Sequence, residues 1–148
     1  MTQVVLLDSG PLGLLTAPPH KAATQSCGQW LAGMMAVGVR VVVPEITDYE
    51  LRRELLRANK LASVRRLDAL ARATEYLPIS TAAMRRAALV WAQARQHGQP
   101  TANDNTIDAD MILVGQALTL GVAFVVATTN VGHLARFVPA DLWQNITP

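Results

Sequence analysis

The chain has 148 residues, of which 51% are hydrophobic and 16% charged, with a formal net charge of +2. That composition excludes a disordered chain and a strongly basic one, and no apolar run reaches the length of a membrane span. A single cysteine, Cys27, excludes an internal disulfide and a cysteine-based zinc site and fits a reducing cytoplasm; no basic stretch precedes the first apolar run, so no secretory leader is expected.

Val4–Leu7 is a continuous run of Val and Leu that ends abruptly in Asp8-Ser9-Gly10-Pro11. An apolar run bounded by turn residues suits a strand buried on both faces. Asp8 then sits at the carboxyl end of a central strand, the edge where open α/β sheets bind ligands. It is equally a residue type that caps a following helix, with Pro11 near the first turn.

A short helix is expected over Gly10–Thr16 and is broken by Pro18-Pro19, and a longer one over Ala22–Val37 stops at Gly38. Val39–Val43 reads as a second buried strand closed by Pro44. Helices follow over Glu45–Asn59 and Leu61–Thr74, then a short strand over Tyr76–Ile79. Ser80 or Thr81 caps a helix running to about His97. Gly98–Ile107 is polar and lacks apolar periodicity, which marks a long loop. A helix over Asp108–Leu120 ends at Gly121, Val122–Ala127 reads as a buried strand, and a last short strand is placed at Trp143–Ile146. Alternating strands and helices predict an α/β fold, a three-layer α/β/α sandwich with a parallel central sheet, in one domain over residues 1–148.

The acids carry the chemistry. On a helical wheel of about 100° per residue, Met111, Val114, Gly115 and Leu118 form one apolar stripe and Leu113, Ala117 and Leu120 a second. Asp110 falls between them, on the buried side of the first turn. An unpaired carboxylate there is costly and calls for a cation, a proton or strong donors. Asp108 points about 160° away and reads as a helix cap or loop support, with a ligand role as the alternative. Asp104, in the polar loop, has no argument beyond its charge. Glu50 follows the second strand on the next helix, one turn from the edge that holds Asp8; it is also spaced to pair with Arg53 as an ordinary surface pair. Glu45, nearer the turn, is better explained as a first-turn helix acid. Carboxylates converging from distant parts of the chain need a counter-charge, and an oxygen-rich site prefers Mg²⁺ or Mn²⁺, ions that activate water and neutralise phosphate.

Other chemistries fit less well. His20, His97 and His133 share no metal-ligand spacing, Ser9 lacks the flanks of a nucleophile elbow, and no Gly-rich loop cradles a phosphate. The arginines cluster in the middle third, and Arg52, Arg53, Arg65 and Arg66 are candidates for a track along a nucleic-acid phosphate backbone against the plainer reading of solvated helix faces. Leu51, Leu55, Leu56, Leu61, Leu67 and Leu70 exceed what one small sheet face needs, which predicts a homodimer or a groove for a partner protein on these helices.

Four stretches together resemble the PIN-domain family, metal-dependent ribonucleases that include the VapC-type toxins. Leu6–Leu12 resembles the family's first motif, a strand ending in Asp and a small polar residue. Tyr49-Glu50-Leu51-Arg52 resembles its helix motif, Asp110–Leu118 its third, and Phe124–Ala127 followed by Thr128-Thr129-Asn130 its fourth. The resemblance covers nearly the whole chain. It implies a PIN-like fold, a cytoplasmic ribonuclease cutting RNA with Mg²⁺ or Mn²⁺, and the toxin half of a toxin–antitoxin pair. It also implies Asp8, Glu50 and Asp110 as metal ligands, with Asn130 and Asp108 orienting water or phosphate. The fourth motif departs from the family pattern, since Asn130 and His133 stand where many members carry an acid. That departure sustains an alternative, a catalytically weak PIN fold serving as an RNA-binding or protein-interaction module.

Overall fold

The structure, a computed structural model, describes residues 1–98 and 108–148. Most of the expected polar loop, Asp104 included, lies outside the described residues.

Five parallel strands form one sheet in the order β3-β2-β1-β4-β5: β1 (Val4–Leu7), β2 (Arg40–Pro44), β3 (Glu75–Leu77), β4 (Val125–Thr128) and β5 (Ala140–Leu142). Among the described residues seven helices cover it: α1 (Ser9–Thr16), α2 (Ala22–Ala36), α3 (Glu45–Arg57), α4 (Leu61–Ala73), α5 (Thr81–Gln96), α6 (Ala109–Leu118) and α7 (Val131–Leu134). Side chains alternate along each central strand and split the core in two. Val4, Leu6, Val42 and Val126 pack under α5, α6 and α7. Val5, Leu7, Val41, Val43 and Ala127 pack under α1, α2 and α4. This is the α/β/α sandwich expected from the sequence.

The winding of the sheet positions everything that follows. From β1 the chain moves outward through β2 to β3, then returns to the other side of β1 for β4 and β5. The direction reverses between β1 and β4, and the crevice at the carboxyl ends of those two strands is where such sheets hold ligands. Asp8 extends the β1–β4 pairing by one bond, its N–H donating to Ala127 O at 2.9 Å.

Two expectations at the end of the chain need correction. Trp143–Ile146 is not a strand; β5 is Ala140–Leu142 and Trp143–Asn145 is a 3-10 turn. Trp143 and Ile146 are both buried in the face covered by α2, and a spacing of three puts both on one side only in a helical turn. The strand before it starts at Val125 rather than Val122, which is 44% exposed. The helix α7 has no counterpart in the sequence reading, since four residues carry no period to detect. The helix α6 departs from two stripes: Met111 to Ala117 are all buried. It is walled in by the sheet on one side and α5 on the other, and α5 meets it with Ala83, Ala87, Val90 and Ala94. A Cβ on Gly115 would run into the backbone oxygen of Ala83, so only glycine permits this approach.

Candidate active site

Asp8 follows β1 directly and precedes α1. As the N-cap of α1 its Oδ1 accepts from Ser9 N at 2.8 Å. Its Oδ2 accepts from the hydroxyl of Thr128, the fully buried last residue of β4, also at 2.8 Å. The Thr128 hydroxyl in turn accepts from Asn130 N at 3.0 Å. One threonine thus holds the Asp8 carboxylate across the switch point and shapes the turn after β4. Gly10 lets α1 start there, since a Cβ on it would collide with the side chain of Thr129.

Glu50 reaches the same place because the start of α3 is pinned. The Thr47 hydroxyl, fully buried, donates to Leu7 O at 3.0 Å and Pro44 O at 2.9 Å, tying the first turn of α3 to the end of β1. Gln116, 1% exposed in the middle of α6, accepts from Ile46 N at 3.3 Å and donates to Leu77 O at 2.8 Å. It fixes α6 against both α3 and the end of β3. Glu45 accepts from Ile79 N at 2.8 Å and so holds the β3–α5 connection. These pins place Glu50 on α3 and Asp110 in the first turn of α6 over one crevice.

The electrostatics record that convergence. Burial pushes the Glu50 carboxyl up to about 7, and the charges of Asp110, Asp8 and Asp108 push the same way against Arg53. Asp110 is also raised, first by burial, then by Asp8 and Asp108, with His133 opposing. Asp108 is the N-cap of α6, its Oδ1 accepting from Met111 N at 3.2 Å, as the wheel suggested. Asn130 caps α7, its Oδ1 accepting from Gly132 N at 3.4 Å. A cavity of about 280 Å³ opens beside the cluster, lined by Ser9, Gly10, Glu50, Leu51, Arg53 and Glu54.

The donor set is entirely carboxylate oxygen, which fits a hard divalent cation, and the mutual pressure among these acids is what a dication would relieve. Their spacing is wider than a finished site: among the described residues no three of Asp, Glu, His and Cys are grouped closely enough to hold an ion as they stand. An ion would have to draw the carboxylates together.

Sequence reasoning missed Thr128, Thr47 and Gln116, which hold the acids rather than join them. For Thr128 and Gln116 the signal was a polar residue in or at the end of an apolar element, legible as buried but not as to what it touches; Thr47, on a largely polar helix, gave none. Two of the candidate RNA-track arginines are engaged within the fold. Arg52 bridges Asp48 and Asp68, both at 2.8 Å, and Arg66 donates to Thr16 O at 2.8 Å and the Ser63 hydroxyl at 2.9 Å. Arg53 and Arg65 remain exposed. Of the six leucines, Leu67 is buried and Leu51, Leu55 and Leu70 pack on the core below α2, leaving Leu56 and Leu61 about half exposed. No described helix is long and apolar enough to cross a membrane.

No protein-family model and no curated protein sequence matches this chain. Solved structures do. A chain of VapBC2 from Rickettsia felis, bound to a DNA fragment from its promoter, aligns with a TM-score of 0.71 at 14% identity, over 95% of this chain and 99% of that one. A chain of VapBC-1 from nontypeable Haemophilus influenzae aligns at 0.72 and 19% identity, over 97% and 100%. A chain of DNA-bound VapBC from Salmonella typhimurium aligns at 0.65 and 21% identity, over 97% and 99%. At these identities the likeness is one of fold, and the chain has the PIN-like fold of these VapBC structures.

Proposed function

We propose that this protein is a ribonuclease that hydrolyses RNA phosphodiesters with Mg²⁺ or Mn²⁺, and that it is the toxin of a toxin–antitoxin pair. The observation that carries the reading is the convergence of acids at the β1–β4 crevice, where the charges of Asp8 and Asp110 press on Glu50 and that of Asp8 presses on Asp110. The VapBC structures that share the fold support the toxin–antitoxin setting. Asp8, Glu50 and Asp110 would hold the ion, which when bound supplies an activated water and neutralises phosphate charge. Thr128 keeps the Asp8 carboxylate aimed into the crevice, and the pins on α3 and α6 keep Glu50 and Asp110 over it. Arg53 and Asn130, both exposed at the rim, would orient the phosphate. Partners in this reading are RNA, an antitoxin protein and a second copy of the chain.

The second reading, a catalytically weak module, is favoured by the wide spacing of the acids and by Asn130, which brings no charge. Calorimetric titration of Mn²⁺ separates the two, followed by cleavage of structured RNA with and without Mg²⁺. The nuclease reading expects Mn²⁺ to bind and Mg²⁺-dependent cleavage that disappears in Asp8→Asn and in Asp110→Asn, both still folded. Cleavage surviving in both variants would remove these acids from the reaction.

A further inference from the structure

Helix α3 borders a second, larger groove of about 510 Å³, and its walls include Tyr49, Tyr76, Ile79 and Met84. Tyr49 precedes Glu50 and is 56% exposed. The guanidinium of Arg53, which lines the acid cavity, sits 5.3 Å from the centroid of the Tyr49 ring. The stacked pair is therefore the ridge between the two spaces, with a cation on the acid side and an aromatic wall on the groove side. Burial and the neighbouring charge of Asp48 push the Tyr76 hydroxyl up to about 12.

We propose that this groove is a nucleobase subsite: RNA whose phosphate lies at the acid cavity turns an adjacent unpaired base over the ridge and stacks it on Tyr49. This rests on the ribonuclease reading and narrows its substrate to RNA with an unpaired base beside the bond that is cut. The chemistry fits on both sides of the ridge. Guanidinium makes forked contacts to phosphate, and a tyrosine ring accepts any base because every base has a flat π face. Arg53 over the Tyr49 ring pre-sets it, so little freedom is lost when a base arrives. A duplex cannot use the groove without giving up a pair.

The test is equilibrium binding with Ca²⁺ in place of Mg²⁺, so that the RNA stays intact. The probes are a fluorescent single-stranded oligoribonucleotide, its duplex, and versions carrying one abasic residue scanned along the strand. Tyr49→Ala, Tyr49→Phe and Arg53→Ala are compared with the parent; Tyr49 is exposed, and thermal melts confirm that each variant folds. Tyr49→Ala should weaken binding of the single strand by about fivefold to a hundredfold, the range for loss of one stacked base. Tyr49→Phe should bind like the parent. At one abasic position the parent should already be as weak as Tyr49→Ala, with no further loss from the substitution. Arg53→Ala should weaken all probes and flatten the salt dependence. Parent-like binding by Tyr49→Ala overturns the subsite, and is the result expected if the groove takes an apolar peptide instead. A loss in Tyr49→Ala that is the same at every abasic position also overturns it. A parent protein that cleaves RNA while Tyr49→Ala binds normally sinks this inference alone, whereas a parent that neither binds nor cleaves RNA sinks the ribonuclease reading with it.

Discussion

Thr128 shows how much one hydroxyl can organise. It donates to Asp8 and accepts from Asn130 N while fully buried, so removing it strips a charged acceptor and a backbone donor together. Thr128→Val keeps the shape and loses both bonds. It should destabilise the protein by about 1.5–3 kcal/mol in urea unfolding, the range for losing a hydrogen bond to a charged group. It should also weaken Mn²⁺ binding, because Asp8 is no longer held to the crevice. A loss of stability with unchanged metal affinity would make Thr128 a fold residue only. The aspartates differ from it in kind. Asp8 and Asp110 were legible from position along the chain, because a strand end and a helix start are places where a carboxylate is noticed. Thr128 closes a strand, where threonine is common for its branched shape.

At the scale of elements, the pairing of α5 with α6 sets where Asp110 stands. Small side chains on α5 and glycine at 115 allow the two helices their close contact. Gly115→Ala gains a little helix propensity, yet its methyl meets backbone that cannot swing aside. Overpacking of that sort costs about 1–3 kcal/mol. A lowered denaturation midpoint with unchanged slope is the expected result; a rise would mean that the helices part without strain. The α3–α4 turn offers a second case. Asn59 takes a left-handed conformation, φ 56°, and the apolar Leu56 and Leu61 flank it in solvent. With the other four leucines packed inside, these two are what remains to support a homodimer. Sedimentation should show a dimer that Leu56→Ser with Leu61→Ser converts to monomer. A monomeric parent would return the two leucines to ordinary surface variation.

For the whole molecule, the acid crevice makes stability depend on pH in an unusual direction. The Glu50 carboxyl, pushed up to about 7, keeps its proton in the folded protein where the unfolded chain has lost it. Across the window from its ordinary value to about 7 the unfolded state binds fewer protons, so stability falls as pH rises. Asp110, also raised, adds to the fall. Glu75, held low by Arg40, and Glu54, held low by Arg57, act in a more acidic window and do not cancel it. The metal-free protein should therefore melt higher near pH ~5 than near ~7.5. Glu50→Gln should flatten most of that slope, and Mn²⁺ should restore the melting point at the higher pH by favouring the charged carboxylates. Thermal melts across pH with and without Mn²⁺ check this, and a flat metal-free profile would mean that the acids do not press on one another.

The sequence by itself determined what depends on neighbours along the chain. The strand runs, the helix starts at Glu45, Ser80 and Asp108, and the alternation that demands a parallel sheet all follow from short-range period and capping. The acids Asp8 and Asp110 stood out for the same reason. Tertiary structure alone decided what depends on approach through space. The reversal between β1 and β4 chose which strand ends share a crevice. Thr47 and Gln116 brought Glu50 there, so that a residue spaced for a surface pair became a half-buried acid. Arg52 and Arg66 turned inward, and Tyr49 met Arg53 on the ridge beside the cavity. A periodic pattern specifies which face of an element is apolar, but not which element will cover it. The partners of a buried polar atom are set only when distant segments pack.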